Sequence, residues 1–278
     1  MTTIVTTPLT DLTPAPRVLV EVNNIAVGAA TLTLFRQAEG RTFRVRGAVR
    51  VPVSSAFATL DLEAPFGVEI GYRVELFDAG GLSLGFSNTT LTQLNVDLCY
   101  VHNPMNPSGS IQIDLSDTSG RALTRTTSGE IFHPEQRVVG LLISGTRRGL
   151  EAVSLYFSTD DPQVAEKFEA MLGGYSIADS DVVPILCVRT PPLTDLPRTF
   201  FAAVMQATRR PVNVHMGGTL REWETEADEA SPPAPGLIVP LLTRDDIDAF
   251  FATRNALDAA YGARTDIDRD YSKAGFST

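Results

Sequence analysis

The chain has 278 residues, of which 43% are hydrophobic and 20% charged, with a formal net charge of −10 at pH 7. That length holds one large or two ordinary domains. The acidic balance argues against a nucleic-acid partner, whose groove needs clustered Lys and Arg. No stretch reaches the roughly 20 apolar residues needed to span a bilayer. The Thr-rich N-terminus also lacks a basic-then-apolar signal pattern. No membrane span is expected, and the protein is expected to stay in the cytosol or leave by lysis.

Residues 1–17 carry Pro8, Pro14 and Pro16 and show no sustained periodicity. They read as an extended N-terminal arm, either frayed or packed along a neighbouring subunit through Ile4, Val5, Leu9 and Leu12. From Val18 the strand signals begin, with Val18–Val22, Ala30–Arg36 and Thr42–Arg46. In the second of these Leu32, Leu34 and Arg36 share one face. Phe57–Leu62, Glu69–Phe77 and Leu82–Leu94 follow, separated by turns at Glu63–Gly67 and Asp78–Gly81. About six or seven strands at roughly ten-residue spacing predict a β-sandwich over 18–97. Tyr72-Arg-Val-Glu-Leu76 resembles the penultimate strand of a fibronectin type III module, with the tyrosine in the core.

The stretch Cys99–Pro107 contains Asn103-Pro104 and Asn106-Pro107. Proline lacks the N–H of a strand ladder, and the residue before it is pushed to extended or turn geometry. Residues 98–109 therefore read as a linker. A second, β-rich block is expected over 110–240. Its strands are Ser110–Leu115, a buried Val138–Ser144, Glu151–Phe157, Val182–Val188, Arg198–Ala207 and Thr219–Thr225, with a polar segment at 116–127. One helix is expected to start at Asp161-Pro162, with Val164, Phe168, Met171 and Leu172 on one stripe and Gly173-Gly174 as its stop. Residues 241–278 read as one C-terminal helix capped by Thr243, with a stripe of Ile247, Phe250, Phe251, Leu257, Ala260 and Tyr261, then a polar tail. The fold class is mainly β: a fibronectin III-like sandwich, then a β-rich domain with a short helix and a C-terminal helix.

Chemistry-bearing motifs are sparse. There is no nucleophile elbow, Walker loop or dinucleotide fingerprint. His102, His133 and His215 lie far apart, without the ligand spacing of a zinc site. Asp266–Asp270 resembles the start of a calcium loop, but Tyr271 stands where the sharp turn needs glycine. Glu222-Trp223-Glu224 with Asp228-Glu229 is the best glycosidase candidate, since that chemistry needs two carboxylates and a sugar platform. Alternation along a strand explains it more simply. Arg147-Arg148 and Arg209-Arg210 read as basic pairs in turns, solvated or facing acidic surface on another subunit. Cys99 and Cys187 sit in apolar runs and read as reduced, buried thiols. The expectation is a non-enzyme without catalytic residues, cofactor or metal.

Several short motifs come in a particular order: Leu34-Phe-Arg36, Gly40-Arg-Thr42, Val45-Arg-Gly47, Asp61–Gly67, Tyr72-Arg-Val74, Val101–Pro107, Ser144–Gly149, Leu155–Thr159 and the helix Val164–Leu172. Together, over residues 18–262, they resemble minor tail proteins, or distal tail proteins, of siphophages infecting actinobacteria. The resemblance implies a virion structural protein of the viral tail tip, assembled in the host cytoplasm. It implies a homo-oligomeric ring joining the tail tube to the tip or baseplate, with tube, tape-measure and other tail-tip proteins as partners. The block after Pro107 is then expected to form the ring, with the sandwich projecting from it or docking on a neighbour. The alternatives are a carbohydrate-binding module touching the host surface and a cell-wall hydrolase.

Overall fold

A computed structural model describes residues 2–10, 14–173, 185–192, 195–213, 215, 217–235, 244–262 and 267. Strands dominate, and antiparallel pairing runs throughout. The first sandwich is built from β1 (Thr3–Leu9), β2 (Arg17–Asn23) and β6 (Phe57–Asp61) in one sheet, ordered β1-β2-β6. The facing sheet runs β4 (Arg41–Arg44), β3 (Thr31–Ala38), β7 (Glu69–Phe77), β8 (Ser83–Phe86). Two short strands flank it, β5 (Val51–Pro52) on β3 and β9 (Thr90–Gln93) on β7. This is the fibronectin III-like sandwich. Alternation in the sequence sends Val18, Val20 and Val22 from one sheet, and Leu32, Leu34, Ile70, Tyr72 and Val74 from the other, into one fully buried core.

The N-terminal segment differs from the expected arm. Thr3–Leu9 pairs along its whole length with Arg17–Asn23, so it is an edge strand of the chain's own sandwich. An edge tolerates Pro8 because one row of backbone groups needs no partner. Ile4 is buried while Val5 stays exposed; Leu12 lies outside the described residues.

The expected linker 98–109 is also structured. Tyr100–Asn103 forms β10 and Asn106–Gln112 forms β11, an antiparallel hairpin. The prolines fit because Pro104 sits in the connecting turn and Pro107 lies on the outermost strand of the sheet. The side-chain oxygen of Asn103 accepts the Met105 N–H at 2.9 Å and fixes that turn. The hairpin belongs to a seven-stranded sheet ordered β11-β10-β16-β17-β18-β15-β12. Its other strands are β12 (Asp114–Leu115), β15 (Val153–Thr159), β16 (Ile185–Arg189), β17 (Thr199–Pro211) and β18 (Arg221–Glu229).

The helix α1 (Pro162–Met171) covers one face of that sheet. Asp161 caps it by accepting the Gln163 N–H at 2.8 Å, and Pro162 stands where no N–H is needed. Gly173 follows at φ +87°, the left-handed geometry that ends a helix. Ala165, Phe168 and Met171 are buried, and Val164 and Leu172 pack at the margin. Phe168 stacks edge-on between Phe157 and Trp223, with ring centroids 5.2 and 5.0 Å away.

Two further elements depart from expectation. The run Val138–Ser144 contributes to β14 (Leu141–Arg147), which pairs only with β13 (Thr127–Phe132). This two-stranded hairpin belongs to neither larger sheet, and every residue of both strands is exposed. The C-terminal helix is divided into α2 (Arg244–Phe250) and α3 (Arg254–Ala260). Thr253 stands between them in extended geometry and caps α3 by accepting the Ala256 N–H. Thr243 lies outside the described residues.

Candidate functional site

The sequence pattern puts Arg36 on the same inward face as Leu32 and Leu34, and the register sets it opposite Tyr72 on β7. Asp61 closes β6 in the facing sheet. Its carboxylate accepts from Arg36 Nη1 at 2.6 and 2.8 Å, from the Tyr72 hydroxyl at 2.8 Å and from the Glu63 N–H at 3.0 Å. One carboxylate thus ties the two sheets together through their core. Burial works against the Arg36 charge, but Asp61, Glu63 and Tyr72 outweigh it and raise its pKa. Burial, with Asp61 adding to it, holds the Tyr72 hydroxyl well above its ordinary range.

Glu63 extends this centre to the second block. It accepts from Arg46 Nε at 2.8 Å, and its backbone carbonyl accepts from the Thr199 hydroxyl at 3.0 Å. Arg46 donates onward to the carbonyls of Pro233 and Ala234, and the Gly47 N–H to that of Pro235. Arg41 pairs with Glu229, and Glu39 accepts the Arg198 N–H at 3.1 Å. Burial opposes the Glu229 charge, but the Leu150 N–H and Arg41 hold its pKa below the usual carboxylate range.

Arg189, on β16, is fully buried at this junction. It donates to the Pro16 carbonyl at 2.6 Å and lies 4.6 Å from the Phe66 ring centroid and 5.8 Å from that of Tyr100. Cation–π contact of this kind is strongest where water is excluded. Burial brings its pKa down to about 10. Tyr100 belongs to the core of the sandwich while its neighbour Cys99 belongs to the core of the second block. The two hydrophobic cores therefore meet at the hairpin first read as a linker.

His102 lies in the same junction, fully buried, on β10. Burial, helped by Arg189, Arg46 and Arg36, pushes its pKa well below 6.5 and keeps it neutral. His133 and His215 are exposed and far from it in the chain. Cys99 and Cys187 are free and buried, and burial pushes the Cys99 thiol up to about 12 and Cys187 up as well. Among the described residues no three His, Cys, Asp or Glu side chains converge as a metal-ligand set. The calcium-like Asp266–Asp270 lies outside the described residues apart from Ile267.

The carboxylates around Trp223 do not form a sugar platform. Trp223 is 1% exposed and points into the core, where Nε1 donates to Glu169 at 3.3 Å. Strand alternation turns Glu222 and Glu224 to the other face, beside Tyr156 and Arg210. Arg210 pairs with Glu224 at 3.0 Å and Arg209 with Glu169 at 3.4 Å, so this basic pair lies within β17 and meets acids of its own chain. In the other pair Arg148 likewise meets an acid of its own chain, Glu151, at 3.6 Å. Arg147 ends β14, and Arg147 and Arg148 line a cavity of about 590 Å³ with Arg41 and Arg125, where the base of the exposed hairpin meets the sandwich.

The hairpin carries the most unusual surface. Val138 is 98% exposed, Leu142 68%, Ile131 61% and Phe132 55%. Sequence reading missed this because a continuous apolar run is also how a buried strand reads. The useful signal was its partner: Thr127–Phe132 is mixed in character, and a buried central strand needs two apolar neighbours.

Compared with protein-family models, with curated proteins and with solved structures, the chain has no match in any of the three.

Proposed function

We propose that the chain is a structural component of a phage tail tip, a minor or distal tail protein that assembles as a homo-oligomeric ring. The observation that carries this reading is the exposed hairpin Thr127–Arg147. Apolar patches of this size on a single chain mark contacts with other macromolecules. That points to a protein that works in an assembly. The particular assembly rests on the ordered motif resemblance from Leu34 through Leu172, which spans both blocks. The interlocked blocks suit a load-bearing part, since the buried Arg36–Asp61 link, the Glu63–Thr199 link and the Arg41–Glu229 pair all resist separation of β layers.

The test is direct. Purified protein is expected to run as a defined oligomer by light scattering, and the chain is expected among the proteins of purified tail particles by mass spectrometry. A strictly monomeric protein absent from such particles overturns the reading. For the cell-wall hydrolase alternative, the tryptophan that would serve as a sugar platform is enclosed in the core.

A further inference from the structure

We infer that the apolar hairpin of one copy seats on the outer face of the larger sandwich sheet of the next copy, so that subunits join head to tail. The inference rests on the assembly reading above and names the two surfaces that meet. Seven large apolar side chains of the hairpin and its turn are exposed, among them Phe132, Val138, Leu142 and Ile143. The register divides those on the strands between two faces: Phe132, Leu141 and Ile143 lie on one and Ile131 and Leu142 on the other, and the first is the face that docks. An isolated two-stranded hairpin is marginal in water and gains stability by covering such a surface.

A second, separate apolar patch exists on the same chain. Leu84 and Phe86 on β8, with Leu91 on β9, are 48%, 53% and 58% exposed. The register fixes their side. Phe86 lies opposite Glu75 and Leu91 opposite Gly71, so both share with Arg73 and Phe35 the face turned away from the sandwich core. Arg73 lies 4.6 Å from the Phe86 ring and is the cation of the patch, while Glu75 on the same face accepts from the Ser83 hydroxyl at 2.8 Å. The hairpin carries the matching charge: Glu130 lies directly opposite Ile143, on the face it shares with Phe132 and Leu141.

The choice between a two-fold and a head-to-tail contact follows from what each leaves uncovered. Hairpin against hairpin covers one patch and leaves Leu84, Phe86 and Leu91 in water. Hairpin against sheet covers that patch and the Phe132, Leu141 and Ile143 face with one kind of contact, sets Glu130 near Arg73, and uses each copy twice. Contacts between unlike surfaces of identical subunits close into rings or continue as filaments.

The experiment uses the full chain and two variants at exposed positions, Phe132→Asp on the Glu130 face of the hairpin and Phe86→Asp on the sheet. Circular dichroism and the thermal midpoint confirm that each folds. Light scattering and sedimentation then read the oligomer. Each variant alone is expected to self-associate at least about 30-fold more weakly than the wild type, the effect of losing one central interface residue. Mixing the two variants is expected to give a 1:1 heterodimer and nothing larger, because each retains the surface the other lacks. A wild-type oligomer that persists in Phe86→Asp while Phe132→Asp dissolves it overturns the sheet as the docking surface and leaves the assembly reading standing. An oligomer unaffected by either change overturns the inference as a whole. A wild type monomeric at every concentration overturns both.

Discussion

Asp61→Asn tests whether the fully enclosed ion pair holds the sandwich together. The substitution keeps the shape but removes the charge, and it turns an amide NH₂ or a lone neutral oxygen toward Arg36 and Tyr72. In the native protein Asp61 is 2% exposed and accepts four hydrogen bonds from three donors, at 2.6 to 3.0 Å. Removing one member of a buried pair leaves an uncompensated charge and costs about 3–5 kcal/mol. Glu63, 3.9 Å from Arg36 Nη2, offsets part of that loss. The expected destabilisation is therefore at the lower end, about 3 kcal/mol. Urea unfolding measures it with two probes: far-UV circular dichroism for the whole β structure, and fluorescence of Trp223, which lies in the other block. The Glu63, Arg46 and Arg189 links make the two probes move together to lower urea. A double-mutant cycle with Arg36→Met then isolates the pair, with an expected coupling of about 1–3 kcal/mol. A loss under about 1 kcal/mol for Asp61→Asn, or a shift in circular dichroism alone, refutes the reasoning.

Three further outcomes are expected. His102 is held neutral below its ordinary pKa of 6.5, so the unfolded chain binds its proton more readily than the folded one. Stability is complete above that value and falls as pH drops below it, by up to about 1.4 kcal/mol per pH unit, and His102→Gln removes this slope between pH 6.5 and 5.5. Burial raises both thiols, so native protein at pH 8 is expected to be inert to a thiol-reactive disulfide reagent and to titrate two thiols once unfolded; rapid native labelling contradicts the buried placement. Phe168→Ala, which empties the space between Phe157 and Trp223, is expected to cost about 3–5 kcal/mol in urea unfolding and to shift the tryptophan emission; a smaller loss means that α1 is not anchored there.

The mainly β class, the α1 caps and the core position of Tyr72 were legible because each rests on local chemistry: alternation, Asp161-Pro162, and the apolar neighbours of Tyr72. Arg36 was legible as lying on the face of Leu32 and Leu34, but its partner was not. Asp61 is 25 residues away, and nothing local says that two sheets bring them together. The prolines of Cys99–Pro107 forbid a central strand only where an N–H must be donated, and an edge strand and a turn satisfy them both. The split at Thr253 was hidden because an apolar stripe continues across it, while the cap that interrupts it is one residue. The exposure of Leu142 and Ile143 was the hardest to see, since it is a property of what the folded chain leaves unpaired.

The interface between the blocks bears on the proposed ring in a way that the hairpin alone does not. A contact between unlike surfaces closes only if the rotation from one copy to the next divides a full turn. In the proposed assembly one surface, Leu84–Phe86–Leu91, belongs to the sandwich, and the other, β13–β14, belongs to the second block. The rotation is therefore set by how the blocks meet, through Glu63–Thr199, Arg46 with the Pro233 and Ala234 carbonyls, and Arg189 against Phe66 and Tyr100. These groups touch neither docking surface. Their geometry nonetheless decides whether the same contact yields a closed ring or an open filament, which gives a structural reason for so many buried polar links where two hydrophobic cores alone would hold the blocks together.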